Sequence, residues 1–509
     1  MTDANEAGRE TPRSTNLSAR LARLSPEQRA TFDRLLRERG KAAEATGLTR
    51  FTRSSRASAE PARTSYAQER LWFWEQLRPG QSSYNVSAAR RMIGVLDVAA
   101  LRSALGTIVA RHESLRTTIF EWQGEPRQIV APPVPVDALS LVVENEPVHD
   151  PATTTWLDHA IREPFDLATG VLYRVRLWRC GPREHVLLIV MHHAISDGSS
   201  FGVLWHELEL LYAAYTTGAD AAAATALPSL PIQYADYAEW QRVWMAGGEL
   251  DRQLAYWRHH LEDAPKVLTL PTDRPRLAAQ QFRGGRRVAS LETALVAELR
   301  SLARNENATL FIVLLAGFEA LVARYSGQSD FLIGVPMTNR PRPELQALIG
   351  FFVNMLPMRA SVPGAATGRD LVRRVRATAT DAYAHQDIPF ERLVDALQPE
   401  RDLSRMPLVQ VAFQLQSFGI ARPSLAGLTT QVLETWNGQA RFDLEVSAVE
   451  DAATDDVRLT VVYDTDLFDA STIDRLCRHY EAVLAALASA PDASVADIPL
   501  LSAAERMQL

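Results

Sequence analysis

The chain has 509 residues, and its 54 Lys and Arg against 61 Asp and Glu leave a formal net charge of −7. Hydrophobic residues make up 47% and charged residues 23%, a globular balance that excludes a collagen-like, coiled-coil or disordered chain. The acidic balance argues against nucleic acid as a partner; only two cysteines, Cys180 and Cys477, exclude a disulfide framework or a cysteine-rich zinc site and suit a reducing cytoplasm.

Residues 1–20 are polar, a composition that predicts disorder, and carry no apolar core of a secretion signal. Ser25-Pro26-Glu27-Gln28 is a capping box with proline at the first helical position, so a helix is expected to run to about Arg39 and stop at Gly40. Its apolar side is thin, only Phe32, Leu35 and Leu36, which suits a solvated helix or a docking element. Residues 41–63 read as a linker, so 1–63 form an N-terminal extension. Leu101, Leu105, Ile108 and Val109 recur at helical spacing. Val186 to Met191 is a short apolar run of buried-strand type, and Gly202 to Tyr212 reads as a helix. Residues 218–228 are small and low in complexity and mark a lobe boundary, giving lobes at 64–228 and 229–498. The second lobe carries helices at Leu291–Arg304 and Leu310–Tyr325 and a buried strand at Phe331–Val335. The expected class is therefore α/β in two lobes, without an apolar run of the roughly 18 residues a membrane helix needs.

Met191 to Ser200 carries the chemistry. His192 and His193 leave a buried strand together, with Asp197 and Gly198 close behind. Adjacent strand residues point to opposite faces, so one histidine is expected in the lobe interior and the other free to act as a base near neutral pH. Asp197 is expected to hold the turn or pair with an arginine, and Gly198 to supply a backbone conformation other residues resist. Zinc is disfavoured, because adjacent strand histidines are poor co-ligands and no His-Glu-x-x-His spacing is present. Gly198-Ser199-Ser200-Phe201-Gly202 matches the nucleophile elbow of a serine hydrolase, with Ser200 as nucleophile. Ala194 to Asp197 intervene between strand and glycine, however, where an elbow needs them to be contiguous.

His192 to Gly198 resembles the HHxxxDG signature of condensation domains of nonribosomal peptide synthetases, within the chloramphenicol acetyltransferase-like superfamily. Ser65 to Trp72 resembles that family's opening motif, Arg111 to Thr117 its RHExLRT element, and Tyr234 to Ala238 its YxDYA segment. Ile349 to Asn354 with Arg359, then His385 to Glu391 and Arg401 to Pro407, are similar to its later motifs. These stretches follow in order over about Ser65 to Leu500.

The resemblance implies an α+β sandwich: two acetyltransferase-like lobes in a V-shaped pseudo-dimer with a tunnel between them. The amine of a carrier-bound aminoacyl group attacks an acyl thioester, both on phosphopantetheine arms. The functional histidine falls on His193. Asp197 is expected in a structural ion pair, with Arg340 as the first candidate and Arg359 as the second. Keeping both histidines separates the chain from heterocyclization relatives, and the opening motifs separate it from epimerization relatives. Residues 499–509 resemble the start of a linker into a following adenylation domain. No carrier-like segment precedes Ser65, so the resemblance favours a starter domain of lipopeptide biosynthesis, which takes acyl-coenzyme A and N-acylates the first amino acid on its carrier. The alternative is an elongation domain served by a separate upstream synthetase protein.

Overall fold

The computed structural model describes residues 60–135, 141–145, 155–218, 227–398, 402–416, 425–450, 456–501 and 503–507. The helix expected at Ser25–Arg39, the linker up to residue 59 and most of the small-residue boundary at 218–228 lie outside the described residues.

The first half runs β1 (Ala62–Arg63), α1 (Tyr66–Leu77), β2 (Asn85–Gly94), α2 (Val98–Arg111), β3 (Thr117–Trp122), β4 (Glu125–Val130), β5 (Leu141–Asn145), α3 (Thr155–Arg162), β6 (Tyr173–Gly181), β7 (Glu184–His192) and α4 (Gly198–Thr216). The second half runs α5 (Tyr234–Trp244), α6 (Leu250–His260), β8 (Gly284–Leu291), α7 (Thr293–Asn305), α8 (Leu310–Ser326), β9 (Asp330–Met337), β10 (Asn354–Ser361), α9 (Gly368–Ala384), α10 (Phe390–Leu397), β11 (Val411–Gln416), β12 (Leu428–Leu433), β13 (Leu444–Glu450), β14 (Val457–Asp464), α11 (Ala470–Ser489) and α12 (Ala503–Arg506).

Two mixed sheets organise the lobes. One has five strands in the order β12-β2-β7-β6-β5, the other six in the order β10-β9-β11-β13-β14-β8. A third, small sheet has the order β1-β4-β3. Strand β7 is bonded on both edges and buried at every position after Glu184. That is why its sequence is an unbroken apolar run instead of an alternation. Helices α2 and α4 pack together, and Leu105, Ile108 and Leu204 close over Ile189 and Met191 of β7. In the second lobe α8 is enclosed by α7, α9, α11 and β11, so it is apolar all round. Thr309 caps its start and Gly327, at φ 71°, ends it. No single helix among the described residues is long and apolar enough to cross a membrane.

Three expected boundaries need correction. Ala62 and Arg63 belong to the folded body and not to the extension, since they pair with Gln128 and Arg127. The segment 229–498 is not self-contained, because β12 leaves it to pair with β2 of the first sheet, from Leu428 opposite Gly94 to Leu433 opposite Ala89. Gly94 permits this approach: at φ 141°, a Cβ there would lie 2.6 Å from the Gly427 carbonyl. Helix α4 begins at Gly198, one turn earlier than its apolar pattern suggests, because Asp197 caps it. At the C-terminus, Glu505 of α12 reaches His479 of α11 at 3.3 Å, and His479 bonds the Tyr325 hydroxyl at 2.7 Å.

Candidate active site

Strand β7 stops at His192, and His193 opens a single 3-10 turn, His193–Ile195, that leads to α4. The two histidines therefore part company because the strand ends between them. His192 turns inward and is 3% exposed. Its Nδ1 accepts the Ala194 amide at 3.1 Å, and its ring meets the edges of Tyr84 and Phe165. Burial pushes its pKa down to about 3.

His193 is fixed at both ends. Its amide donates to the Tyr84 carbonyl at 2.8 Å, and its Nδ1 lies 2.8 Å from the Ser196 carbonyl. A carbonyl only accepts, so Nδ1 carries the hydrogen and Nε2 keeps a free lone pair. The ring is partly exposed and rests on Phe351, 4.6 Å between centroids. Burial, then the positive charge of Arg441, lowers its pKa to about 4. At neutral pH His193 is an uncharged imidazole whose Nε2 can accept a hydrogen bond or a proton.

Below the turn lies a buried polar knot. The Asp197 side chain has 0% exposure and that of Arg340 has 6%. Asp197 Oδ1 accepts from Arg340 Nη2 at 2.9 Å and from the Ser200 amide at 2.9 Å; Oδ2 accepts the Phe352 amide at 3.1 Å. Arg340 Nη1 donates to the Leu345 and Leu348 carbonyls at 2.8 and 2.6 Å, and its guanidinium covers the Phe352 ring. The carboxylate thus caps α4 and ties it to the 340–352 segment of the other lobe, which includes a single helical turn at Pro343–Gln346. Arg359 stands elsewhere, paired with Asp330 at 2.6 Å.

Ser200 is part of this knot. Its Oγ lies 2.8 Å from Asp197 Oδ1 and 3.0 Å from the Gly350 carbonyl, and takes the Gly350 amide at 3.1 Å. It is 0% exposed, out of reach of any substrate, so the nucleophile-elbow pattern is a coincidence of sequence. Gly350 itself must be glycine, because a Cβ would lie 2.1 Å from the Tyr234 ring. The expectation for Gly198 is corrected. It is the exposed first residue of α4, has no left-handed φ, and an added Cβ would meet nothing within 4 Å.

Five of the other motifs, though not Arg359 or the Arg401–Pro407 stretch, supply contacts at the same junction. Gln68 donates to the Ala194 carbonyl at 3.0 Å, holding α1 on the His193 turn. The Tyr234 hydroxyl bridges Ser65 Oγ at 2.9 Å and the Phe351 carbonyl at 2.6 Å. His112 links Glu207 at 2.8 Å to the Ile349 amide at 3.4 Å. Arg70 meets Glu391 of α10 at 3.0 Å. Phe351 falls inside the Ile349–Asn354 motif, though without an assigned role, whereas the Arg441 charge was not singled out from sequence. Arg441 has no local signal, since only the folded topology brings this second-half residue to the end of β7.

The family model of the condensation domain matches residues 59–509. The chain is 41% identical over 447 residues to a linear gramicidin synthase of Brevibacillus parabrevis, covering 87% of this chain and 6% of that protein. It is 40% identical over 491 residues to phosphinothricin tripeptide synthetase PhsC of Streptomyces viridochromogenes, covering 96% of this chain and 44% of that protein. The chain thus spans less than half the length of these relatives. Among solved structures, the X-domain from teicoplanin biosynthesis superposes with a TM-score of 0.78 at 28% identity, covering 88% of this chain and 99% of that one. The condensation domain of the monacolin K polyketide synthase MokA does so with a TM-score of 0.74 at 23% identity, covering 86% and 99%.

Proposed function

The chain belongs to the condensation-domain family, whose members form amide bonds in nonribosomal peptide synthesis, and from that premise we propose that His193 assists attack of a carrier-bound aminoacyl amine on a donor thioester. The observation that carries this reading is the neutral His193 ring, its Nε2 lone pair free, where the two lobes meet. The amine nitrogen adds to the thioester carbon, and the carbonyl π pair moves to oxygen. The adduct then expels thiolate and reforms the carbonyl. The proton lost by nitrogen passes through Nε2 to the departing sulfur, so the histidine ends as it began. A thioester is already activated, and an α-amino group of pKa about 8 is partly neutral at pH 7. Most of the acceleration comes from holding amine and carbonyl together, and the base adds about 10²–10⁴-fold.

Both substrates ride on phosphopantetheine arms in this reading, the acceptor on an aminoacyl-carrier domain. The similarity to synthetases named for gramicidin and for a tripeptide supports a peptidyl donor handed over by a carrier. The test is intact-mass analysis of an aminoacyl-carrier after incubation with this protein. One arm supplies a peptidyl-carrier donor and the other a series of acyl-coenzyme A thioesters. Amide formation from the peptidyl-carrier, lost in His193→Gln, is the expected result. Transfer from acyl-coenzyme A alone would establish a starter role instead. Full turnover by His193→Gln would overturn the assignment of His193.

A further inference from the structure

Around His193 the charges do not cancel. Three charged side chains act on its ring: Arg441, Asp197 and Arg70. Asp197 is neutralised by Arg340 and Arg70 by Glu391. Arg441 has no counter-ion among the described residues; its guanidinium lies 6.0 Å from the centroid of the Tyr84 ring. Tyr84 is the residue whose carbonyl holds the His193 amide. The backbone around this arginine is held on both sides. The Arg441 carbonyl accepts Gln280 Nε2 at 3.2 Å, the preceding Ala440 amide bonds the Phe282 carbonyl at 3.0 Å, and the Asp443 amide two residues on bonds the Gln410 carbonyl at 2.9 Å. A well-held backbone thus carries a positive charge, unpaired among the described residues, to the Tyr84 side of the reacting end of β7.

That sign is wrong for a site built to store a proton. A cation beside His193 opposes imidazolium and opposes the ammonium of a bound amine. It is the right sign for the other charge the reaction creates, the oxyanion on the former thioester carbonyl. A fixed donor aimed at that oxygen acts more strongly in the transition state than in the ground state. The phosphate of a pantetheine arm is a poor alternative, because it sits at the far end of the arm from the thioester.

We propose that Arg441 is a catalytic residue that donates to the oxyanion of the tetrahedral adduct, dividing the work with His193, which takes the proton. This rests on the amide-forming reading above, and wild-type turnover tests that reading separately. The experiment compares two pantetheine-linked probes on wild type, Arg441→Lys and Arg441→Met. One is a phosphonamidate, a tetrahedral anion that mimics the adduct; the other is the matching neutral amide. For Arg441→Met we expect kcat to fall about 10²–10³-fold with KM little changed. Phosphonamidate affinity should fall by a similar factor, and amide affinity should hold. Arg441→Lys should recover part of both losses by restoring the charge. Equal weakening of both probes would show that Arg441 only shapes the pocket and would overturn the proposal. So would unchanged phosphonamidate binding in Arg441→Met.

Discussion

Asp197→Asn perturbs the knot with almost no change of shape, so its effect can be worked out from the bonds present. The carboxylate accepts the Ser200 amide and Arg340 on Oδ1 and the Phe352 amide on Oδ2. Asparagine replaces one oxygen by an NH2. Whichever way the amide is set, that NH2 faces a donor. Arg340 meanwhile keeps the carbonyls of Leu345 and Leu348 but loses its only counter-charge among the described residues while 6% exposed. Breaking a buried pair by removing one partner costs about 3–5 kcal/mol. The contrast is Asp330→Asn, which breaks the Arg359 pair; there the partners are 26% and 33% exposed, and the loss should be about 0–1 kcal/mol. Urea unfolding at pH 7.5 separates the two, provided the m-values agree. The double variant Asp197→Asn with Arg340→Met leaves no stranded charge. It should therefore be more stable than the sum of the single losses by about 0.5–3 kcal/mol. If Asp197→Asn loses no more than Asp330→Asn, and the double variant is additive, the knot does not hold the lobes in the way described.

Two further predictions concern neighbouring side chains. Burial holds His192 near 3, while an unfolded imidazole titrates near about 6.5, so below that pH the unfolded chain binds a proton the folded chain refuses. Stability should therefore fall as pH drops from 6.5, by about 2 kcal/mol at pH 5 for this one ring. His192→Gln should flatten the pH dependence of the urea midpoint by one proton, and an unchanged slope would mean that the ring is solvated. Ser200→Ala strands the buried Gly350 amide and should lose about 1–3 kcal/mol. It should still form amide wherever it is folded; fluorophosphonate labelling of Ser200 together with an inactive Ser200→Ala would establish serine chemistry instead.

What could be read from sequence follows from how local the cause is. Strand β7 announces itself because a strand buried on both faces needs an unbroken apolar run, and α8 because a helix enclosed on all sides has no polar face. The start of α4 was misplaced for a related reason. Periodicity sees only the apolar positions, whereas the first turn is fixed by the Asp197 carboxylate. Gly198 was misjudged because a glycine in a tight pattern suggests a special backbone, yet here it only leaves space at a helix start. Strand β12 was invisible. Nothing in Leu428-Thr429-Thr430-Gln431-Val432-Leu433 says that its partner is β2, since a single edge strand carries no mark of which sheet it joins.

The same non-local wiring decides how the site works. His193 is held by the first half through the Tyr84 and Ser196 carbonyls. What surrounds its ring comes largely from the second half: the Phe351 face and the Arg441 charge, with Arg340 bracing the turn beneath. A shift of one lobe against the other would leave the base in place and move its environment. The lobes are tied against such a shift at β12 on β2, at Arg70 on Glu391 and at the Asp197 knot. Only the last of these ties ends on the helix that follows His193. Loosening it should therefore disturb chemistry before it disturbs the separate lobe cores, so Asp197→Asn should lose turnover at urea concentrations where both lobes remain folded.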